Sequence, residues 1–165
     1  VELSDILQGA FDTGKEPLVI LLDGITDVRN FGAIARTAEC MGADGIIIPE
    51  QGSVRVSPDA VKISAGALNH IAVARVKNLV DAVETAKEFG LRAVACHEKG
   101  NHALWRAKLD GPLCLIMGAE DEGISHRLQK RADDSVYIPM EGKISSLNVS
   151  VAAGILLAEV VRQRQ

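Results

Sequence analysis

Residues 17–49 read PLVILLDGITDVRNFGAIARTAECMGADGIIIP and contain two apolar runs separated by a segment with helical spacing. The first run, PLVILLD at 17–23, is short and continuous, which is typical of a strand buried on both faces. Residues 30–41 repeat apolar side chains at helical spacing, and Gly42 follows them as a predicted C-cap. The second run, DGIIIP at 44–49, predicts another buried strand that stops at its proline. The stretch therefore predicts a strand, a helix and a strand in succession.

The rest of the chain continues this alternation. Further strands are predicted at 70–76, 91–97, 112–118 and 135–140, and further helices at 57–66, 78–90, 125–132 and 148–165. This order predicts an α/β domain of three layers with a mostly parallel sheet. Residues 1–16 read as a short helix and a polar, glycine-containing approach. We expect a linker or lead-in there and the domain itself over residues 17–165.

Composition limits the classes of protein to which the chain can belong. Its 165 residues suit one domain, and 47% hydrophobic with 24% charged residues is an ordinary globular composition. No apolar run approaches the roughly 18 residues that cross a bilayer, so no membrane association is expected. The net charge of −4 argues against a simple nucleic-acid binder. It leaves open a local basic face or a separate RNA-binding domain.

Cysteine and histidine spacing bears on redox setting and metal binding. The three cysteines, at 40, 96 and 114, are odd in number and form no C-x-x-C, which suits a reducing cytoplasm. The four histidines form no H-x-x-x-H pair, so no metal site is expected. The glycines form no G-x-G, and the chain has no P-loop and no G-x-S-x-G elbow. These absences count against the common α/β chemistries.

The first cluster of notable polar residues follows the strand at 17–23. Ligands of open α/β sheets bind where strands meet helices, so this is a candidate site. Asn30 falls at the predicted helix start, where an N-cap is the simplest interpretation. Arg36 lies in a mostly apolar stretch of the helix, which favours a bound partner over a solvated charge.

The second and third clusters lie near the C-terminus. The strand at 112–118 delivers Gly118 and then Glu120, and glycine here would let the backbone approach a ligand closely. Glu120 is interpreted either as a helix-start carboxylate or as the partner of a ligand amine. IPM at 138–140 is a candidate floor for an adenine ring, or ordinary core. Four small polar residues then precede or open the last helix, which is more than one cap requires: Ser145, Ser146, Asn148 and Ser150.

Together these segments resemble the SpoU branch, also called the TrmH family, of the SPOUT methyltransferases. The matching motifs are NFGAIARTAECMGADGIIIP, LIMGAEDEGISHRL with ADDSVYIPM, and SLNVSVAAGILLAEVVRQR, in that order across residues 17–163. LDGITD and KISAGALNHIAVARVKNL are most similar to the 23S rRNA guanosine-2′-O-methyltransferases. Val28 and Arg29 depart from the family, whose members usually have a proline and a small residue or histidine there.

The resemblance implies a fold, a cofactor and a dimer. The C-terminal segment would form a deep trefoil knot, a rare exception to unknotted topology. S-adenosylmethionine would be held in a bent shape by the knot loops, at Gly118, Ile138, Met140 and Leu147. Relatives act as homodimers with the site near the subunit interface, and those of this subgroup often carry an N-terminal RNA-binding domain. Such a domain would also account for the acidic net charge here.

The resemblance also implies the reaction, which is methyl transfer to a ribose 2′-hydroxyl of RNA, expected to be a guanosine of 23S rRNA. Arg36 would be the key residue; because arginine rarely gives up its proton, we expect it to orient a phosphate and stabilise the developing alkoxide rather than act as a base. The other residues of the catalytic set are Asn30, Glu120, Ser146 and Asn148.

RNA contacts are expected at Arg29, Arg55, Lys62, Ser64 and Lys143. A tRNA ribose methyltransferase and a non-catalytic RNA-binding relative remain as alternatives.

Overall fold

The computed structural model describes residues 1–165 and contains one seven-stranded sheet flanked by six α-helices. The strands are β1 Leu18–Asp23, β2 Gly45–Pro49, β3 Ala72–Val76, β4 Arg92–Cys96, β5 His102–Ala103, β6 Leu113–Gly118 and β7 Asp134–Tyr137. The helices are α1 Leu3–Asp12, α2 Val28–Cys40, α3 Pro58–Ile63, α4 Leu79–Glu88, α5 His126–Arg131 and α6 Val149–Arg164. Two short 3₁₀ turns lie at Ala67–Asn69 and Leu104–Arg106.

The sheet has the order β3-β2-β1-β6-β4-β7-β5, and every strand pair in it is parallel. This confirms the predicted α/β class. The short edge strand β5 and both 3₁₀ turns were not predicted, because two or three residues carry no measurable periodicity. No helix is both long enough and apolar enough to cross a lipid bilayer.

Alternate residues of the central strands feed two separate cores. On one face, β1 packs through Leu18, Ile20 and Leu22 beneath α2 and α6. On the other face, it packs through Val19 and Leu21 beneath α1, α4 and α5. Burial on both faces explains the continuous apolar runs of the sequence.

Helix α1 belongs to the second core. Its apolar side chains Leu3, Ile6, Leu7 and Ala10 are buried, and Ile6 lies against the space above Gly45 in β2. Residues 3–12 are therefore packed onto the sheet, although the sequence suggested a linker. The division of the chain at residue 16 stays a prediction.

The C-terminal end of α6 is held at the edge of the sheet where the parallel strands begin. Arg164 donates hydrogen bonds to the carbonyl oxygens of Glu16, Pro17 and Gly111. One turn earlier, a hydrogen bond from the Arg162 guanidinium lowers the pKa of the buried Glu159 carboxyl to about 2. Arg164 therefore anchors the end of this helix to the sheet, and Arg162 pairs within the helix.

Candidate active site

Two adjoining cavities open at the carboxyl-terminal edge of the parallel strands, where open α/β sheets bind ligands. The larger, of about 800 Å³, is lined by residues that follow β4, β6 and β7 and by the first turn of α6. The smaller, of about 530 Å³, lies between the β1–α2 loop and the segment after β6. Ala119, Glu120, Asp121, Glu122 and Val149 line both cavities, so one short segment separates them.

The segment after β6 is a tight turn with no spare room. A Cβ added to Gly118 would lie 2.5 Å from the Ile124 nitrogen, so only glycine fits there. The turn is closed by the N–H of Gly123, which donates to the carbonyl of Ala119 at 2.7 Å, and Gly123 itself has a φ of +68°. The backbone thus folds back on itself beside the larger cavity.

Asp23, at the end of β1, holds this turn through two hydrogen bonds. Its Oδ2 accepts a hydrogen bond from the N–H of Ser125 at 2.7 Å, and its carbonyl accepts one from Ala119 at 3.2 Å. Both ends of the turn are therefore tied to one residue. Asp23 was not among the predicted site residues, because an aspartate that ends a strand looks like any loop carboxylate in the sequence.

The start of α6 joins three of the predicted catalytic residues. Glu120 accepts a hydrogen bond from the N–H of Val149 through its Oε1 at 3.1 Å. Asn148 caps α6 by accepting from the N–H and hydroxyl of Ser150, and its amide donates to Asn30 Oδ1 at 3.1 Å. Residues far apart in sequence thus meet at one point between the cavities.

Asn30 is free to make this contact because it is not the helix cap. Helix α2 begins at Val28, two residues before the predicted start, and Asp27 caps it by accepting from the N–H groups of Arg29 and Asn30. The interpretation of Asn30 as an N-cap is therefore wrong. The capping residue Asp27 could have been found from its preference for this position.

Arg36 is not brought to this cluster. It lies six residues along α2 from Asn30, which places it about 9 Å further along the helix and on a different side. Its side chain is exposed, lines neither cavity, and makes no hydrogen bond or ion pair.

The predicted cofactor residues do lie together. Gly118, Ile138, Met140 and Leu147 all line the larger cavity, along with Ser146 and Lys143. Cys96 also lines it, and burial raises the pKa of its thiol to about 11. The thiol is therefore neutral near pH 7 and serves as a small apolar surface.

The predicted RNA contacts are scattered, and one of them is internal. Arg29, Arg55, Lys62 and Lys143 are exposed and form no ion pair. Ser64 is fully buried, where its hydroxyl donates to the carbonyl of Val61 and accepts from the N–H of Leu68. Its side chain shapes the turn after α3 and is not available at the surface.

Comparison with known proteins agrees with this geometry. The profile of the SpoU rRNA Methylase family matches residues 17–158. The chain belongs to this family. The resemblance inferred from the three motifs is thereby confirmed.

Curated relatives in the SpoU family are similar over nearly all of this chain. It is 39% identical over 149 residues to the 23S rRNA (guanosine-2′-O-)-methyltransferase RlmB of Escherichia coli, covering 90% of this chain and 61% of that protein. It is 44% identical over 163 residues to a tRNA/rRNA methyltransferase of Synechocystis, covering 99% of this chain and 42% of that one. The chain therefore spans less than two thirds of these relatives.

Solved SpoU structures share the fold. The SpoU methyltransferase AviRb of Streptomyces viridochromogenes, in complex with AdoMet, superposes with a TM-score of 0.81 at 33% identity, covering 90% of this chain and 58% of that one. A TrmH/SpoU tRNA modifying enzyme of A. aeolicus gives a TM-score of 0.80 at 28% identity, covering 98% of this chain and 83% of that one.

Proposed function

We propose that this chain is the catalytic domain of an S-adenosylmethionine-dependent RNA methyltransferase that modifies a ribose 2′-hydroxyl. The observation that carries the proposal is the pair of adjoining cavities, which share the Ala119–Glu122 segment and Val149 as a common wall. Such a pair can hold a methyl donor and an acceptor side by side, which methyl transfer requires. The names of the relatives favour a guanosine of 23S rRNA as the acceptor.

The larger cavity fits the cofactor in size and in chemistry. Its volume of about 800 Å³ lies within the range of small-molecule sites. Ile138, Met140 and Leu147 offer apolar surface to an adenine ring, and the turn at Gly118 offers backbone groups. When bound, S-adenosylmethionine supplies a methyl group on a positively charged sulfur.

The residues between the cavities would position the acceptor. Asn30 lines the smaller cavity, and its side chain is held by Asn148, so its free amide group can orient a ribose hydroxyl. Glu120 fixes the start of α6 and so holds Asn148 in place. Ser146 lies on the other side, in the larger cavity, where it can contact the cofactor.

Arg36 would act from a second subunit. An exposed guanidinium outside both cavities of its own chain supports a homodimer in which α2 of one chain reaches the site of the other. The exposed side of α6, which carries Val151 at 51% exposure and Ala158, offers apolar area beside α2 for such a contact. There Arg36 would orient a phosphate and stabilise the developing alkoxide.

The knot is also part of this proposal. After β7, residues 138–148 lead into α6, which packs on the α2 side of the sheet. The hydrogen bond from Val149 to Glu120 brings the start of α6 against the turn that follows β6, and this contact supports threading of the C-terminal segment. A cytoplasmic setting is supported by three unpaired cysteines.

A calorimetric titration tests the cofactor step. S-adenosylhomocysteine should bind saturably, with about one site per chain, and binding should weaken in Asn148→Ala. Absence of binding by folded protein would refute the enzyme and leave an RNA-binding relative. Methyl transfer to 23S rRNA fragments or to tRNA, measured with labelled cofactor, then separates the two substrate classes.

Mixing two inactive variants tests the shared site. Arg36→Ala and Asn148→Ala homodimers should each lose turnover, while their mixture should regain about a quarter of it, since half of the dimers are mixed and each mixed dimer has one intact site. No recovery after verified subunit exchange would place Arg36 and Asn148 in the same chain's site.

A further inference from the structure

Trp105 is the only tryptophan of the chain and is 54% exposed. Tryptophan side chains are usually well buried, and exposed ones concentrate at contact surfaces. The cause here is local: the 3₁₀ turn Leu104–Arg106 buries Leu104 completely in the core beneath α6, which leaves the next side chain outside. The indole lines neither cavity of the candidate active site.

The position of Trp105 relates it to the candidate active site. It follows β5, the last strand of the sheet, whose Ala103 lies beside Tyr137 at the end of β7. Tyr137 lines the larger cavity, and so does Lys99, which precedes β5. The indole therefore lies near the cavity, one strand further out. Beyond it the chain runs toward the amino-terminal edge of the sheet, where Arg92 at the start of β4 donates to the carbonyl of Lys108.

The segment that carries Trp105 is held firmly. Gly100 packs so closely on β7 that a Cβ there would lie 2.8 Å from the Cα of Val136. Asn101 donates its N–H to the Ser135 hydroxyl at 2.9 Å, and Gln163 donates to the carbonyl of Ala107 at 2.8 Å. A fixed aromatic surface loses little conformational entropy when a ligand binds.

The segment that carries the indole is basic, although the chain as a whole is acidic and Glu98 and Asp110 flank the segment. Residues 99–108 read KGNHALWRAK and contain three cations and no acidic residue. Lys99, Arg106 and Lys108 are exposed and form no ion pair, and the nearby His102 pairs with Asp134. A polyanion suits such a surface better than an apolar protein face, because charge is depleted at the centre of protein interfaces.

We propose that Lys99, Trp105, Arg106 and Lys108, which we call the Trp105 surface, bind the single-stranded RNA next to the nucleotide that is methylated. One base stacks on the indole and the three cations contact neighbouring phosphates, as in proteins that combine an aromatic platform with a basic groove. The inference rests on the proposed RNA methyltransferase function and adds to it a substrate contact that begins at Lys99, which lines the larger cavity, and extends beyond both cavities.

The single tryptophan makes the test specific, because all indole emission comes from this surface. Titration with a single-stranded RNA of about 12 nucleotides should quench the emission saturably. In Trp105→Ala, affinity for the same RNA, labelled and followed by anisotropy, should fall about tenfold, and in Trp105→Phe it should fall much less because a ring remains. Met41→Ala, which removes a similarly exposed apolar side chain at the far end of α2, should bind as the wild type does.

Salt dependence tests the cations separately. For a single strand, each lost phosphate contact reduces the magnitude of the negative slope of log affinity against log salt by about 0.7. The double variant Arg106→Ala/Lys108→Ala should therefore reduce that magnitude by about 1.4. Far-ultraviolet circular dichroism and thermal unfolding check that every variant is folded.

The outcomes separate this inference from the function on which it rests. Tight RNA binding with silent indole emission, or with full affinity in Trp105→Ala, would overturn the Trp105 surface alone. A changed molecular mass of Trp105→Ala with unchanged RNA affinity would reassign the indole to a subunit contact. Failure to bind both S-adenosylhomocysteine and RNA would remove the proposed function as well.

Discussion

Replacement of Gly118 by alanine offers the sharpest test of how the turn after β6 builds the site. The added methyl group would lie 2.5 Å from the Ile124 nitrogen and closer still to the carbonyl group of Gly123. Ordinary van der Waals contact begins at 3.4 Å, so the backbone must move by at least about 0.9 Å. Neither obstacle is a flexible side chain that could turn away.

The substitution should destabilise the fold moderately and should also weaken ligand binding. Overpacking of this kind costs about 1–3 kcal/mol, which a domain with about 5–15 kcal/mol of stability survives. At this chain length, a loss of about 2 kcal/mol lowers Tm by about 4–8 °C. The displaced segment lines both cavities, so we expect affinity for S-adenosylhomocysteine to fall at least tenfold, or by about 1.4 kcal/mol.

Calorimetry for affinity and thermal unfolding for stability measure the two effects independently. Gly142→Ala is the matched control, because Gly142 also lines the larger cavity, has no atom within 4 Å of an added Cβ, and does not need a positive φ. It should bind the ligand as the wild type does. Wild-type affinity in Gly118→Ala, or an equal loss in Gly142→Ala, would show that the tight turn does not shape the site.

Three further predictions address packing and charge. Gly32→Ala should lose about 1–3 kcal/mol in urea unfolding, since its Cβ would lie 2.6 Å from Ile63 Cγ2, whereas Gly154→Ala should be nearly neutral because its nearest atom lies at 3.8 Å. The lowered pKa of Glu159 contributes stability above pH 4.5 that is lost as the pH falls toward 2, so Glu159→Gln should flatten the pH dependence of stability across that window. Iodoacetamide near pH 8 should alkylate exposed Cys40 well before Cys96, whose pKa burial raises to about 11, as peptide mass spectrometry would show.

The alternation of strands and helices was predictable because both faces of the sheet are covered. A strand buried on both faces must be apolar throughout, so β1, β2 and β6 appear in the sequence as uninterrupted runs. The same reasoning fails for β5, which has two residues, one of them exposed. The reasoning also fails for α1. A short amphipathic helix has the same sequence pattern whether it packs on this domain or belongs to a linker in front of it.

The sequence predicted residues that the structure brings together where motifs supply side chains, and it missed residues that only support the backbone. Gly118, Glu120 and Asn148 were chosen as small or polar residues at strand and helix ends, and the structure places them around one point. Asp23 was missed because its role is to hold the backbone of a segment about a hundred residues away, and no local pattern encodes such a contact. Ser64 was misjudged for the opposite reason, since its neighbours are exposed while its own hydroxyl is internal.

These contacts make the two cavities mechanically dependent on each other. Asp23 ties both ends of the turn after β6 to β1, and Glu120 in that turn ties it to α6. Helix α6 in turn holds Asn30 through Asn148. A ligand that moves the turn would therefore strain the hydrogen bonds that position Asn30, and a ligand held by Asn30 would stabilise the turn. Binding at the two cavities should consequently be coupled, and the coupling should pass through the Glu120–Val149 hydrogen bond, since no other side-chain hydrogen bond joins the turn to α6.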